Sequence, residues 1–366
     1  MKRLLTLACL SLLGLANFAA AEQGNPKLKT IEAIAFGPKG LLLIGGGPQV
    51  VSVDTGDTTM VPWTTDSIAN IDQILAGKLG LTPKDIEVRK LAVNPASGKA
   101  YIAIQSLKNK ASVILTVDGA GKIAEFPLEN VKFTSYSLAM PKGIAVTKVT
   151  DIAWTGGKIV AATQATDKFS SRVFTIDPAT TDGAAKQIST KTYHTGHNRW
   201  ETQAPLRALM PYIENGKASV VGTFTCTPIV RYSIDDAKNN DQVVGTSVVE
   251  LGQGNTPRSM FTYEKDGKKF ILISVGRNNK QPAYGFPSAY WVAKVDATLL
   301  DETKNINEKA ALRVPVKGAS GAMVGDRVQV AREYFGVRQM DKLDANRAVA
   351  IIETKDAFSL RALPLP

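Results

Sequence analysis

Short apolar runs of four to eight residues, rich in Val and Ile, recur along the chain between clusters of Gly, Asn, Asp and Pro. Runs of that length bounded by turn residues predict β-strands rather than helices. One pattern returns at regular spacing: an apolar residue, a variable one, an aliphatic one, then an acid. It occurs as Val51-Ser-Val-Asp54, Leu115-Thr-Val-Asp118, Phe174-Thr-Ile-Asp177, Tyr232-Ser-Ile-Asp235, Ala293-Lys-Val-Asp296 and Ala350-Ile-Ile-Glu353, with the acids 57 to 64 residues apart. Upstream of each acid, a Gly and Lys turn leads into an apolar run. It reads Gly98-Lys99, Gly157-Lys158, Gly216-Lys217 and Gly267-Lys268, with looser versions at Lys39-Gly40 and Asp326-Arg327.

Around these landmarks each unit reads as four strands, in the third unit over 151–154, 159–163, 172–176 and 187–192. One such sheet cannot cover both of its faces, whereas several packed around an axis cover them all. The expected fold is therefore all-β, a single propeller of six four-stranded blades over residues 22–366. A seventh blade hidden in 63–87 or 128–148 is the alternative. Residues 63–87 also predict a helix, with Ile68, Ile71, Ile74 and Leu75 on one face and Gly80 near its end. The repeating acids, once per blade at strand ends, read as turn caps, because Asp bonds neighbouring backbone amides there.

Over residues 31–366 this repeat resembles that of exported bacterial propellers with WD40-like or YVTN-like repeats, although the Trp-Asp signature is missing and the unit exceeds the ~40–45 residues of a WD40 blade. Segments 193–212, 223–228 and 254–263 also resemble stretches of uncharacterised members of such families. The resemblance implies architecture alone. Related propellers serve as amine dehydrogenase subunits, lactonases, lyases and passive scaffolds, so activity has to be argued from a site.

Residues 1–21 carry basic Lys2 and Arg3, an apolar run from Leu4 to Leu15, and Ala19, Ala20 and Ala21 before Glu22. That order predicts a secretory signal peptide cleaved after Ala21, and a periplasmic or secreted protein. The apolar run is too short to span a bilayer, which takes about 20 residues, and no other stretch is as apolar. No membrane span is expected, and Cys9 in mid-run argues against a lipid anchor. Lys2 and Arg3 are the only charges in this segment, so its removal takes the formal net charge from +11 to +9. Export, and the lack of any Lys/Arg run longer than two, make nucleic acid an unexpected partner. An anionic small molecule or an acidic protein suits the charge better.

Cleavage would also leave Cys226 as the sole cysteine, which excludes an intramolecular disulfide. The only two histidines stand together as His194-Thr-Gly-His197. Imidazoles three apart, with the Cys226 thiolate, would form the equatorial set of a copper or other transition-metal site, with Met210 or Met260 axial. Against that, His-x-x-His is a common accident and a lone cysteine is usually buried. The same loop continues Asn198-Arg199-Trp200-Glu201. Arg199 over Trp200, with Arg258 and Arg277 nearby, would hold an anionic ligand. An internal Arg199–Glu201 pair tying down the loop is the competing account. In a propeller the links between blades and the turns between second and third strands share one end, which gathers 193–205, Cys226, 254–258, 276–287 and 333–347 there. No nucleophile elbow, haem motif or zincin motif occurs. Two functions emerge: a binding or scaffold propeller with a basic loop face, and a periplasmic metal-dependent or redox enzyme built on His194, His197 and Cys226.

Overall fold

A computed structural model describes residues 21–179, 185–214, 216–225, 228–313, 327–354 and 357–366. Residues 1–20, Cys226 and Asp326 lie outside them. Among the described residues no helix is long and apolar enough to cross a membrane.

Six antiparallel sheets surround one axis, and their inner strands pack in a closed ring. Numbered around that ring, blade I has strands Ala33–Phe36, Leu41–Gly46, Gln49–Asp54 and Val131–Ser137, with Glu22–Gly24 at its edge. Blade II has Val146–Thr155, Lys158–Ala165, Ser171–Ile176 and Lys186–His194, and blade III has Leu206–Glu214, Lys217–Phe224, Pro228–Ser233 and Thr246–Glu250. Blade IV has Asn255–Lys265, Lys268–Arg277, Tyr290–Asp296 and Val328–Val330, and blade V has Val337–Lys342, Arg347–Thr354, Ala357–Pro364 and Ser67–Ile68. Blade VI has Ile86–Val93, Ala100–Ser106, Ser112–Val117 and Ile123–Phe126. The fold is the expected all-β propeller of six blades.

Six apolar clusters fill the spaces between neighbouring blades. Successive side chains of a strand point to opposite faces. Leu42 thus packs against blade VI, in a cluster with Ala92 and Tyr101, while Leu43 packs against blade II with Ile152 and Ile159. Both faces of a blade are covered, so its middle strands read as continuous apolar runs.

The chain does not visit the blades in ring order. After three strands of blade I it passes blade VI, adds Ser67–Ile68 to the outer edge of blade V, and builds blade VI. It then returns to complete blade I with Val131–Ser137 before continuing through II, III, IV and V. Two blades are therefore closed by distant strands. The stretches expected to harbour a seventh blade supply these closing strands, and the expected helix forms as Ile71–Lys78 with Ile71 and Leu75 buried. Ile74 is exposed, and Gly80 adopts a left-handed φ of 65° just past the helix end.

The crossing segment is tied to blade VI. Asp57 accepts from Ser97 Oγ at 2.8 Å, Lys99 Nζ at 3.0 Å and Tyr101 OH at 3.0 Å, while Thr64 and Thr65 donate to the Gly119 carbonyl. Gly119 allows that approach, since a Cβ there would overlap the Pro62 carbonyl.

Two landmarks fall elsewhere than expected. Glu353 ends the second strand of blade V, whereas Asp54, Asp118, Asp177, Asp235 and Asp296 end or follow third strands. Arg327 leads into the outer strand of blade IV; the corresponding turn of blade V is 343–346. Asp54, Asp118, Asp177 and Asp296 do cap their turns, as in Asp118 Oδ1 accepting from Ala120 N at 3.0 Å and Lys122 N at 2.9 Å, whereas Asp235 accepts from Ala218 N at the start of the second strand at 2.6 Å.

Candidate functional site

Each inner strand enters from the end that carries the blade-to-blade links, and near that entry five of the six skip a register. The breaks fall between Val88 and Lys90, Val149 and Asp151, Leu206 and Ala208, Pro257 and Ser259, and Val337 and Gln339. A bulge of this kind adds one unpaired residue and re-aims its side chain. The extra residues are Arg89, Thr150, Arg207, Arg258 and Arg338. In blade I, Glu32 holds the matching place, donating its N–H to Gly45 O beside the Ala33–Gly45 pair. Around the axis the order is Glu32, Thr150, Arg207, Arg258, Arg338, Arg89, which puts four arginines side by side.

A cavity of about 120 Å³ at the channel mouth is lined by Arg89, Lys90, Lys148, Arg207 and Arg258 against two carboxylates, Glu32 and Glu87. Arg89 Nη1 pairs with Glu87 at 3.2 Å, and its other terminal nitrogen donates to Gln105 Oε1. Lys90 pairs with Asp151 at 2.7 Å. Arg207 and Arg258 keep no such partner among the described residues. Desolvation, reinforced by Arg89, lowers the Arg207 pKa, and desolvation with repulsion from Arg338 and Arg207 lowers that of Arg258. Burial raises the Glu32 carboxyl against the opposing pull of Lys148 and Arg89. Arg258 lies over the Tyr290 ring at 5.3 Å, where Gly276 leaves room: a Cβ there would stand 2.9 Å from Arg258 Nε. Arg338 turns aside, over Phe358 at 5.4 Å.

Below this mouth the channel widens into a cavity of about 630 Å³ lined by Phe36, Trp154, Met210, Met260, Phe261 and Met340 among others. Lys90 lines both cavities, and its ion pair with Asp151 marks the boundary. Enclosure raises the nearby Asp341 carboxyl to about 6, against N–H groups of Val93 and Lys342.

Of the residues singled out in the sequence, Arg258 alone lines the mouth. His194 and His197 belong to the outer strand of blade II and the turn after it, so they sit at the rim. Their rings stack at 4.3 Å and 16°, and His194 Nε2 faces Glu250 Oε2 at 3.6 Å. Parallel stacked rings direct their nitrogen lone pairs into separate planes rather than at one point. Among the described residues no group of three or more His, Cys, Asp and Glu is arranged to hold a metal ion. Met210 and Met260 are on inner strands lining the lower cavity, not beside the histidines as an axial role would need. Arg199 is exposed, and Glu201 caps the loop by accepting from the amides of Thr202, Gln203 and Ala204, each at 2.9 Å. Trp200 packs against Tyr193 and carries Lys191, not Arg199, over its ring at 4.5 Å. Arg277 donates to Pro282 O at 2.7 Å and lies over Tyr284.

Sequence reasoning missed Arg89, Arg207 and Arg338. A signal existed in the recurring apolar-Arg-x-Leu/Met of Val88-Arg89-Lys90-Leu91, Leu206-Arg207-Ala208-Leu209, Pro257-Arg258-Ser259-Met260 and Val337-Arg338-Gln339-Met340.

No family model and no curated protein matches the sequence. Among solved structures, Drosophila semaphorin 1b, extracellular domains 1–2, aligns with a TM-score of 0.38 and 10% identity over 95% of this chain and 87% of that one. Saccharomyces cerevisiae Sqt1 gives 0.32 and 9% over 95% of this chain and 100% of its own. Trypanosoma rangeli sialidase gives 0.38 and 11% over 95% of this chain and 54% of its own. Likenesses this low carry nothing about activity; the propeller stands on its own six sheets and closed ring.

Proposed function

We propose that this protein is an exported binding propeller that holds a small anion at the mouth of its central channel. The observation that carries the reading is the ring of bulged inner-strand residues, which delivers Arg89, Arg207 and Arg258 to one recessed cavity beside Lys148. Guanidinium groups kept without a carboxylate partner in a desolvated place are costly unless an anion pairs with them. The small cavity and its recess in the channel favour a small anion over an acidic protein surface. Export rests on the basic, apolar and small-residue order of residues 1–21, and mass spectrometry of envelope protein beginning at Glu22 tests it.

Calorimetric titration of the mature protein with sodium phosphate and sodium sulfate tests the site. Arg207→Ala and Arg258→Ala are expected to weaken anion binding by about tenfold or more, as loss of a charge-assisted contact does. Arg199→Ala, at the exposed rim, should leave it unchanged. The reverse pattern would move the site to the 193–205 loop.

A further inference from the structure

The mouth of the channel offers more than positive charge. Five buried polar atoms of residues lining it have no protein partner among the described residues: Arg89 Nε and Arg258 Nε on the donor side, and Glu32 Oε2, Thr150 Oγ1 and Gln339 Oε1 on the other. Gln339 is 2% exposed, and its Nε2 donates to the Arg89 carbonyl at 3.2 Å, which fixes the amide and leaves Oε1 as the orphan. Thr150 can serve either way, but a carboxylate and an amide oxygen only accept.

A fully deprotonated oxyanion satisfies the arginines and nothing else. It would leave Glu32 and Gln339 unpaired and set the Glu32 charge against its own. An anion that still carries a proton accepts from the guanidinium groups and donates to one of these oxygens. We infer, on the anion-binding reading above, that the ligand is an oxyanion retaining a proton at neutral pH, namely hydrogenphosphate or hydrogencarbonate. A cavity of about 120 Å³ has room for one such group and little more. Buried polar groups matched to a ligand hydroxyl reject the analogue that lacks it, because rejection leaves them unpaired.

The test is calorimetry on the mature protein at pH 7 and constant ionic strength, with sodium phosphate, sodium hydrogencarbonate and sodium sulfate. At least one of the first two should bind about tenfold or more tightly than sulfate, and the tighter one identifies the anion. Glu32→Gln replaces an acceptor with a group that can donate. It should bring the preference below about threefold, mainly by raising sulfate affinity. Should that variant not fold, Gln339→Met removes the other acceptor and is read the same way. Sulfate binding as tightly as the protonated anions, or a variant that keeps the wild-type ratio, overturns the inference and leaves the anion site standing. No binding of any of the three to folded protein overturns the anion site itself.

Discussion

Lys90 and Asp151 form an ion pair of 2.7 Å across the channel although their blades, VI and II, are separated by blade I. The pair is almost wholly buried, with side chains 13% and 1% exposed. Asp151 uses its second oxygen to accept from Leu209 N of blade III at 2.8 Å, and Asp341 of blade V accepts from Val93 N of blade VI at 2.8 Å. Residues just beyond the bulges thus hold the ring together directly beneath the cavity at the channel mouth.

Removing one partner of that pair leaves a buried charge uncompensated. Lys90→Met should cost about 3–5 kcal/mol in urea unfolding. Lys90→Met combined with Asp151→Asn should be destabilised less than the sum of the single variants, by about 1 kcal/mol or more. Strict additivity would show that the two do not act as a pair.

The seam at Asp57 predicts a pH dependence. Desolvation pushes its carboxyl up, but hydrogen bonds from Lys99, Ser97 and Tyr101 outweigh that and hold it below the ordinary carboxylate range. A lowered pKa in the folded state gives stability that is present above the ordinary value of 3.8 and lost as pH falls through the folded value. Asp57→Asn should therefore cost about 1–3 kcal/mol at pH 7, with the gap to wild type closing below pH ~4. A gap that persists at pH 3 would place the loss in packing instead.

Glu250 works in the opposite sense. Burial raises its carboxyl to about 7 despite N–H groups of Gly196 and Thr195 and the nearby His197. The folded protein holds this proton more tightly than the unfolded chain, so stability falls as pH rises from 4.5 towards 7 and is level above. Glu250→Gln should remove that decline, on the order of 2 kcal/mol, from the difference in denaturant unfolding between pH 4.5 and pH 8. Identical pH profiles would show that Glu250 is ionised throughout.

Gly276 offers a test of the site that leaves its charges untouched. A Cβ at this position meets Arg258 Nε at 2.9 Å and the Tyr290 ring at 3.0 Å. Gly276→Ala should displace the guanidinium, weaken phosphate binding by about tenfold, and lower the melting temperature by only a few degrees, since a flexible side-chain end can shift. Unchanged binding would mean that Arg258 is not held by this stack.

Much of this molecule was legible along the chain because its determinants are local. A strand buried on both faces must be apolar at every position, and a turn that reverses it must carry Gly or Asp. Blades II, III and IV therefore announced themselves in the runs around Asp177, Asp235 and Asp296. The helix Ile71–Lys78 showed through its apolar spacing for the same reason. Arg258 was visible as a basic residue near a blade entry.

What the linear order could not contain is which strand edges meet. Ser67–Ile68 is two residues long and acquires its place by pairing with Leu360 and Arg361, nearly three hundred residues away. Val131–Ser137 closes a blade begun before residue 55, and the acid at Glu353 imitates the repeat while ending a different strand of its blade. The site was hidden for a related reason. A bulge shifts one residue out of the alternation that sequence patterns rely on, so Arg89, Arg207 and Arg338 read as ordinary strand positions. Local hydrophobic pattern determines the blades, but only ring closure decides their order and turns five separate bulges toward one axis.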